Sequence, residues 1–182
     1  MQYLIHEDQE YLVENTKKIA DLLIENIQVI QQLDHVQELK RNQPKHFLKE
    51  FSTIKIYGPR QMGHSSTIPY IVYKYKLNPL IITENSRLLN YLIEKFLRLN
   101  QHKKNHQKRR LITYENNNFI YFSTIDQVVK DIDVFSSISI PNVDSIIIDT
   151  STFIKGKYIE EIYDFFSHKL SISKMNLFLL MQ

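Results

Sequence analysis

Apolar residues near the start of the chain recur at helical spacing. Over residues 8–41 they return at steps of three, four and seven positions, at Leu12, Ile19, Leu23, Ile27, Ile30 and Leu33. This period predicts an amphipathic helix, either unbroken or divided near Asp34, and Pro44 ends the helical region. The apolar face is expected to pack on the rest of the protein. The alternative is a face that binds a partner protein or a second copy of the chain.

Beyond residue 46 the pattern changes to short apolar runs separated by amphipathic stretches. Runs of strand character cover residues 53–57, 79–83, 145–149 and 176–181, with a shorter pair at 111–114 and 119–123. Helical spacing covers residues 64–75, 86–100 and 158–168. Continuous apolar strands that alternate with helices are typical of a parallel sheet covered on both faces. We therefore expect an α/β domain over residues 47–182, with a mainly parallel sheet and flanking helices, preceded by a helical segment over residues 1–46.

The composition supports a folded domain and excludes several kinds of site. Of the 182 residues, 43% are hydrophobic and 12% aromatic, which suits a sizeable core and is unlike a disordered chain. The absence of cysteine excludes disulfides, thiolate metal ligands and a cysteine nucleophile. The N-terminus lacks a basic stretch followed by an apolar one, and no apolar run is long enough to cross a bilayer. We therefore expect an intracellular protein that is not secreted and has no membrane partner.

Two of the three glycines stand close together, between a predicted strand and a predicted helix. Average usage would give roughly a dozen glycines in a chain of this length. Gly58 and Gly63 have the spacing of a phosphate-binding loop, G-x-x-x-x-G-K-[S/T], and Ser65 stands where the hydroxyl binds Mg²⁺. Such glycines let backbone N–H groups turn toward phosphate oxygens, and the following helix N-terminus adds positive potential. Residues 56–66 therefore predict a nucleotide site; the alternative is a tight turn in an ordinary α/β domain.

The loop departs from this pattern at His64, where the pattern requires lysine. Lysine supplies a fixed positive charge to the β- and γ-phosphates. Histidine is shorter, and its ordinary pKa of about 6.5 leaves it mostly neutral at pH 7. Pro69 also removes one backbone donor from the helix that follows. The loop is therefore expected to bind nucleotide weakly and to stabilise transferred charge poorly.

A second motif is an apolar strand that ends in Asp149. Residues 145–154 read Ser-Ile-Ile-Ile-Asp-Thr-Ser-Thr-Phe-Ile, the pattern of a Walker B strand, whose Asp holds Mg²⁺ through water. Hydrolytic proteins of this kind usually carry Glu next, whereas this chain has Thr150, which is not a base at neutral pH. Asp149 and Ser65 are therefore the candidate Mg²⁺ residues. Glu160 and Glu161 are either substitutes for the missing carboxylate or, more simply, surface charges.

Together the two motifs resemble the ATPase domain of tailed-phage terminase large subunits. The segment Arg60-Gln61-Met62-Gly63 resembles that family's Arg-Gln-hydrophobic-Gly core, and Asp149 followed by Phe153-Ile154 resembles its Walker B region. The order of strands and helices over residues 47–182 is also similar. The resemblance implies a P-loop NTPase fold of the additional-strand class, with Arg60 near the γ-phosphate. It further implies a nucleotide site formed by Gly58, Arg60, Gln61, Gly63, His64, Ser65, Ser66 and Asp149.

Because His64 and Thr150 stand at catalytic positions of the family pattern, we expect a pseudo-ATPase rather than an enzyme. In this interpretation the chain binds Mg-ATP weakly or not at all. It serves as a structural or regulatory subunit on nucleic acid or in a viral assembly, in the host cytoplasm if it is viral. One alternative is a slow ATPase of a DNA-packaging or DNA-translocating complex, active in an oligomer whose neighbouring subunit supplies the missing Lys or Glu. Another is a protein-interaction module that uses the helix over residues 8–41.

A run of basic residues follows the second of the predicted helices in the α/β region. Residues 101–110 include Lys103, Lys104, Lys108, Arg109 and Arg110, although the net charge of the chain is +3. Clustered Lys and Arg neutralise phosphates and give salt-dependent binding of nucleic acid. Aromatic residues on the neighbouring strands, including Tyr114 and Phe119, are suited to stack on bases. The run is a candidate nucleic-acid contact; the alternative, which isolated charge runs favour, is a solvated surface loop.

Overall fold

The computed structural model describes residues 2–57, 64–99, 111–114, 118–130, 143–150, 156–168 and 176–181. Within these ranges the helices are α1 (Gln2–Ile30), α2 (Asp34–Asn42), α3 (Pro44–Phe51), α4 (His64–Lys74), α5 (Ser86–Leu99), α6 (Ile125–Lys130) and α7 (Gly156–Ser167). The strands are β1 (Thr53–Ile56), β2 (Pro79–Thr83), β3 (Leu111–Tyr114), β4 (Asn118–Thr124), β5 (Ser145–Asp149) and β6 (Leu177–Met181).

These strands form one sheet in the order β1-β6-β5-β2-β4-β3. Neighbouring strands are parallel except for β3 and β4, which form an antiparallel pair at the edge. Every residue of β2, β5 and β6 is buried, which is why these strands appear in the sequence as continuous apolar runs. The expected α/β class with a mainly parallel sheet is therefore confirmed.

Helices cover both faces of the sheet, and successive strand residues point to opposite faces. Ile81 of β2 belongs to a core cluster with residues of α1, α4 and α5. Its neighbours Leu80 and Ile82 belong to a second cluster with residues of α3, α6 and α7. The protein thus has three layers, with the sheet in the middle.

A polar cluster joins α1 to α4 and to the residue that follows α4. Asp21 accepts hydrogen bonds from the hydroxyls of Tyr70 at 2.6 Å and Tyr75 at 2.9 Å, and it pairs with Lys74 Nζ at 2.7 Å. Burial alone would raise the pKa of the Asp21 carboxyl, but these donors together lower it. Helix α1 packs on the protein's own core, as expected, but through Ala20, Ile24 and Ile27. Three residues of the predicted apolar face, Ile19, Ile30 and Leu33, are instead exposed.

The N-terminal helices differ from the sequence expectation in two respects. The helical region does not end at Pro44; this residue instead begins α3, because proline is tolerated in the first turn, where its missing N–H has no helical partner. α3 then continues across the predicted boundary at residue 46.

The short helix α6, directly after β4, is also absent from the expectation. None of the described helices is long and apolar enough to cross a membrane.

Candidate nucleotide-binding site

Strands β1 and β5 end at the same edge of the sheet, the carboxyl edge, with β6 between them. Ile56, Met181 and Asp149 form one register row across β1, β6 and β5. Helix α4 begins at His64, in the segment that follows β1. The topology therefore brings the two sequence motifs to one edge of the sheet.

The two motifs are joined by a direct hydrogen bond. Ser65 Oγ donates to Asp149 Oδ2 at 2.6 Å, although the two residues lie 84 positions apart in the chain. Asp149 is only 4% exposed. Burial raises the pKa of its carboxyl to about 6, and the hydrogen bond from Ser65 and the charge of Lys95 oppose that rise. A hydroxyl beside a buried carboxylate offers the oxygen ligands that Mg²⁺ prefers, and a bound cation would offset the cost of burying this charge.

His64 occupies the first position of α4 and is partly buried. Burial lowers the pKa of its imidazole. Its Nε2 is buried and has no hydrogen-bond partner within the described ranges. The imidazole is therefore neutral at pH 7 and does not supply the fixed charge that a lysine would supply.

Thr150, which the sequence motif places where the Walker B pattern usually has Glu, lies at the carboxyl edge of the sheet. It is 3% exposed, and its backbone N–H donates to the carbonyl of Met181 at 3.1 Å. The other two carboxylates considered from the sequence are engaged elsewhere. Glu160 pairs with Lys45 at 3.2 Å and Lys49 at 2.6 Å, which ties α7 to α3. Glu161 lies 3.8 Å from Lys157 on the same helix.

A residue that no sequence motif indicates, Lys95 of α5, also belongs to this site. Its Nζ donates to Ser66 Oγ at 2.6 Å, and its charge acts to lower the pKa of Asp149. Position 95 stands beside Phe96 at the border of the apolar face of α5. That spacing predicts a residue at the edge of a packed helix, but it does not indicate which neighbouring helix the side chain reaches.

The remaining predicted site residues fall into two groups. The loop residues Gly58, Arg60, Gln61 and Gly63 lie outside the described residues, as does the basic run at 101–110. Pro69 lies inside α4 and is buried, so the carbonyl of Ser65 four residues earlier has no helical N–H partner there.

Comparison of the chain with protein-family models, with curated proteins and with solved structures finds no match in any of the three. The resemblance to terminase ATPases therefore depends on the two motifs and on the order of the strands and helices.

Proposed function

We propose that this chain is a degenerate, terminase-like P-loop domain that binds Mg-nucleotide weakly and does not hydrolyse it. It would serve as a structural or regulatory subunit of a viral assembly that handles nucleic acid. The observation that carries the proposal is the 2.6 Å hydrogen bond between Ser65 and Asp149. Ser65 is a candidate Mg²⁺ ligand from the loop motif, and Asp149 is one from the strand motif. If the two motifs were chance matches in an ordinary α/β domain, nothing would require these side chains to be in contact.

The strand order supports the same proposal. In this sheet β6 lies between the strand before the loop, β1, and the strand that ends in Asp149, β5. β2 then lies on the other side of β5. A strand inserted between the two motif-bearing strands is what the additional-strand class of P-loop folds requires.

In the proposed site, Ser65 and Asp149 would hold Mg²⁺, which neutralises charge on the bound phosphates. Backbone N–H groups in the first turn of α4 lack helical acceptors and are available to phosphate oxygens. The Ser65–Asp149 hydrogen bond keeps the two ligands together before the ion arrives. Binding is weakened because His64 contributes no fixed charge.

The absence of turnover follows from Thr150. A threonine hydroxyl does not accept a proton from water at neutral pH, and this side chain is buried. Substituting His64→Lys together with Thr150→Glu is therefore expected to produce hydrolysis above background. The single substitution His64→Lys is the control and is expected to improve binding only. Background turnover in a folded double variant would contradict the idea of a decayed hydrolytic site.

The direct test is equilibrium binding of a fluorescent ATP analogue, with and without Mg²⁺. The wild-type protein is expected to show saturable, Mg²⁺-dependent binding, and Ser65→Ala is expected to lose about tenfold or more in affinity. Ser86→Ala is the matched control, because Ser86 is an exposed serine in the first turn of α5. A wild-type protein that shows no binding up to millimolar ligand overturns the proposal.

The nucleic-acid part of the proposal depends on residues 101–110 and is tested separately. Replacing the five Lys and Arg residues of this run with Gln is expected to weaken binding of single- and double-stranded DNA and to reduce its salt dependence. Unchanged binding and an unchanged salt slope would remove the run from the proposal.

The outer side of α1 favours a second function, that of a protein-interaction module. On α1, Leu22 and Val29 are 61% and 65% exposed and Ile19 is 47% exposed. Leu33, which lies between α1 and α2, is 45% exposed. Large exposed apolar side chains along one side of a helix are typical of a helix that binds a partner protein. Leu22→Glu with Val29→Glu should abolish self-association in sedimentation experiments if the partner is a second copy.

A further inference from the structure

Helix α5 brings a positive charge to the candidate site from outside the loop. Lys95 Nζ lies 2.6 Å from Ser66 Oγ, and Ser66 follows the candidate Mg²⁺ ligand Ser65 directly. The ammonium group is therefore at the first turn of α4, where the phosphates of a bound nucleotide would lie.

The side chain of Lys95 is supported by its own helix. Tyr91 stands one turn earlier, its ring centroid is 5.4 Å from Lys95 Nζ, and its hydroxyl is 3.4 Å from the same atom. The cation therefore rests over an aromatic ring while its stem follows α5 beside the buried Phe96. This support directs the ammonium toward α4 without neutralising its charge.

Lys95 has no carboxylate partner within the described ranges, unlike several lysines that lie on other helices. Lys17, Lys45, Lys49 and Lys74 each pair with an Asp or Glu within 3.2 Å. No carboxylate oxygen within the described ranges lies in ion-pair distance of Lys95 Nζ. The contact with Ser66 is a hydrogen bond to a neutral hydroxyl, which a phosphate oxygen can replace with a stronger, charge-assisted bond.

The fixed positive charge that a P-loop lysine supplies is absent at position 64. Position 64 holds the shorter histidine, and a triphosphate would place several negative charges beside the buried Asp149. Anions in a partly buried site require a cation to offset their repulsion. Mg²⁺ would offset part of it, and an ammonium group from a neighbouring helix can offset more.

We propose that Lys95 is the phosphate-binding cation of this site and takes over from α5 the task that the lysine of an ordinary P-loop performs. The ligand is the terminal phosphate end of a Mg-nucleoside triphosphate. The inference rests on the proposed function, since it assigns a residue to the same site. It also explains how the loop can bind nucleotide with histidine at position 64.

The test is a binding titration with the fluorescent ATP analogue and Mg²⁺, with inorganic triphosphate as competitor. Lys95→Gln is expected to lose about tenfold or more in affinity, because a charge-assisted hydrogen bond is removed, while Lys95→Arg keeps most of it. Arg98→Gln is the matched control: it removes one positive charge from the same helix at a residue whose side chain is 83% exposed. It is expected to bind within about twofold of wild type.

A rescue experiment separates phosphate binding from a merely structural role. His64→Lys in the Lys95→Gln background is expected to restore most of the lost affinity, because a lysine then reaches the phosphates from the loop. The same substitution in the wild-type background is expected to add less, so the two effects are not additive. A structural defect at position 95 would not be repaired from position 64.

The outcomes distinguish this inference from the function on which it rests. Binding that Ser65→Ala loses but Lys95→Gln keeps would overturn the role of Lys95 and leave the proposed function intact. Binding lost in Lys95→Gln and not recovered by His64→Lys, with an unchanged circular dichroism spectrum, would also overturn that role. No binding by the wild-type protein would overturn both.

Discussion

Polar side chains cluster at both edges of the sheet, buried or half-buried, but they bond to different partners. The amino-edge cluster consists of Gln31, Ser52, Asn78, Asp144 and Asn176. Its side chains bond largely to main-chain groups. The carboxyl-edge cluster consists of Ser65, Ser66, Lys95 and Asp149, and its side chains bond to one another. Main-chain bonds hold strands in place, whereas a bond between two side chains can be exchanged for a bond to a ligand.

At the amino edge, Gln31 links the end of α1 to β1 and β6. Its Nε2 lies 3.0 Å from the carbonyl of Phe51, 2.9 Å from Ser52 Oγ and 2.8 Å from the carbonyl of Asn176. Its Oε1 accepts the Asn176 N–H at 3.2 Å. The Asn176 side chain is an exception, since its amide is buried with no hydrogen-bond partner within the described ranges.

The other half of the amino edge links β2, β4 and β5. Asp144 Oδ1 accepts the backbone N–H of Asn78 at 2.9 Å and the hydroxyl of Ser145 at 3.0 Å. Asn78 Oδ1 accepts the backbone N–H of Phe119 at 3.0 Å. These bonds fix the start of three strands. The opposite edge can therefore carry groups that cost stability, and it is there that we propose a nucleotide binds.

The largest effect is expected at the amino edge. Gln31→Leu should lower the free energy of unfolding by about 2–4 kcal/mol, because it leaves several buried carbonyl and hydroxyl groups without a donor. Urea unfolding at pH 7.5 measures the change, and Gln32→Leu, an exposed neighbour, is the control. Nucleotide affinity of the folded variant should not change. A loss of affinity without loss of stability would reverse the roles of the two edges.

A smaller effect of the opposite sign is expected at the carboxyl edge. Asp149→Asn should raise the free energy of unfolding by about 1–3 kcal/mol at pH 7.5 without metal, because burial raises the carboxyl pKa from 3.8 to about 6 and the charged form is penalised. Between these pKa values the folded state binds more protons than the unfolded state, so wild-type stability falls as pH rises from about 4 to about 6.

The pH dependence supplies the control for this prediction. Below pH 4 the Asp149 carboxyl is protonated in both states, so the advantage of Asp149→Asn should disappear there. The same variant should lose the Mg²⁺ dependence of nucleotide binding. If Asp149→Asn destabilises the protein at pH 7.5, the carboxylate stabilises the fold and the contrast between the edges fails.

The sequence predicts the elements of this fold well where burial is complete. The bounds of β2 and β5 agree with the apolar runs at 79–83 and 145–149, because a strand buried on both faces carries an uninterrupted apolar signal. The two motifs also predict that Ser65 and Asp149 belong to one site. Each motif has a local spacing that its chemistry requires, and parallel topology brings the two together.

The long-range contacts were not predictable in the same way. Gln31 and Asn176 lie 145 positions apart, and no sequence pattern around either residue predicts the hydrogen bond between them. Lys95 reaches Ser66 only because α4 and α5 pack on the same face of the sheet. An amphipathic period identifies the buried face of a helix, but it does not indicate which neighbour a side chain at the border meets.

The smallest effect is expected for Lys95→Gln, and it is the most informative one for the carboxyl edge. The change should alter the free energy of unfolding by less than about 0.5 kcal/mol, because Lys95 is only partly buried, has no ion pair within the described ranges, and Gln can still donate to a hydroxyl. Urea unfolding, with Arg98→Gln as the comparison, measures it. A lysine that matters for nucleotide affinity but not for stability is a binding group. If the loss of stability instead exceeds about 2 kcal/mol, Lys95 fastens α5 to α4, and the carboxyl edge resembles the amino edge.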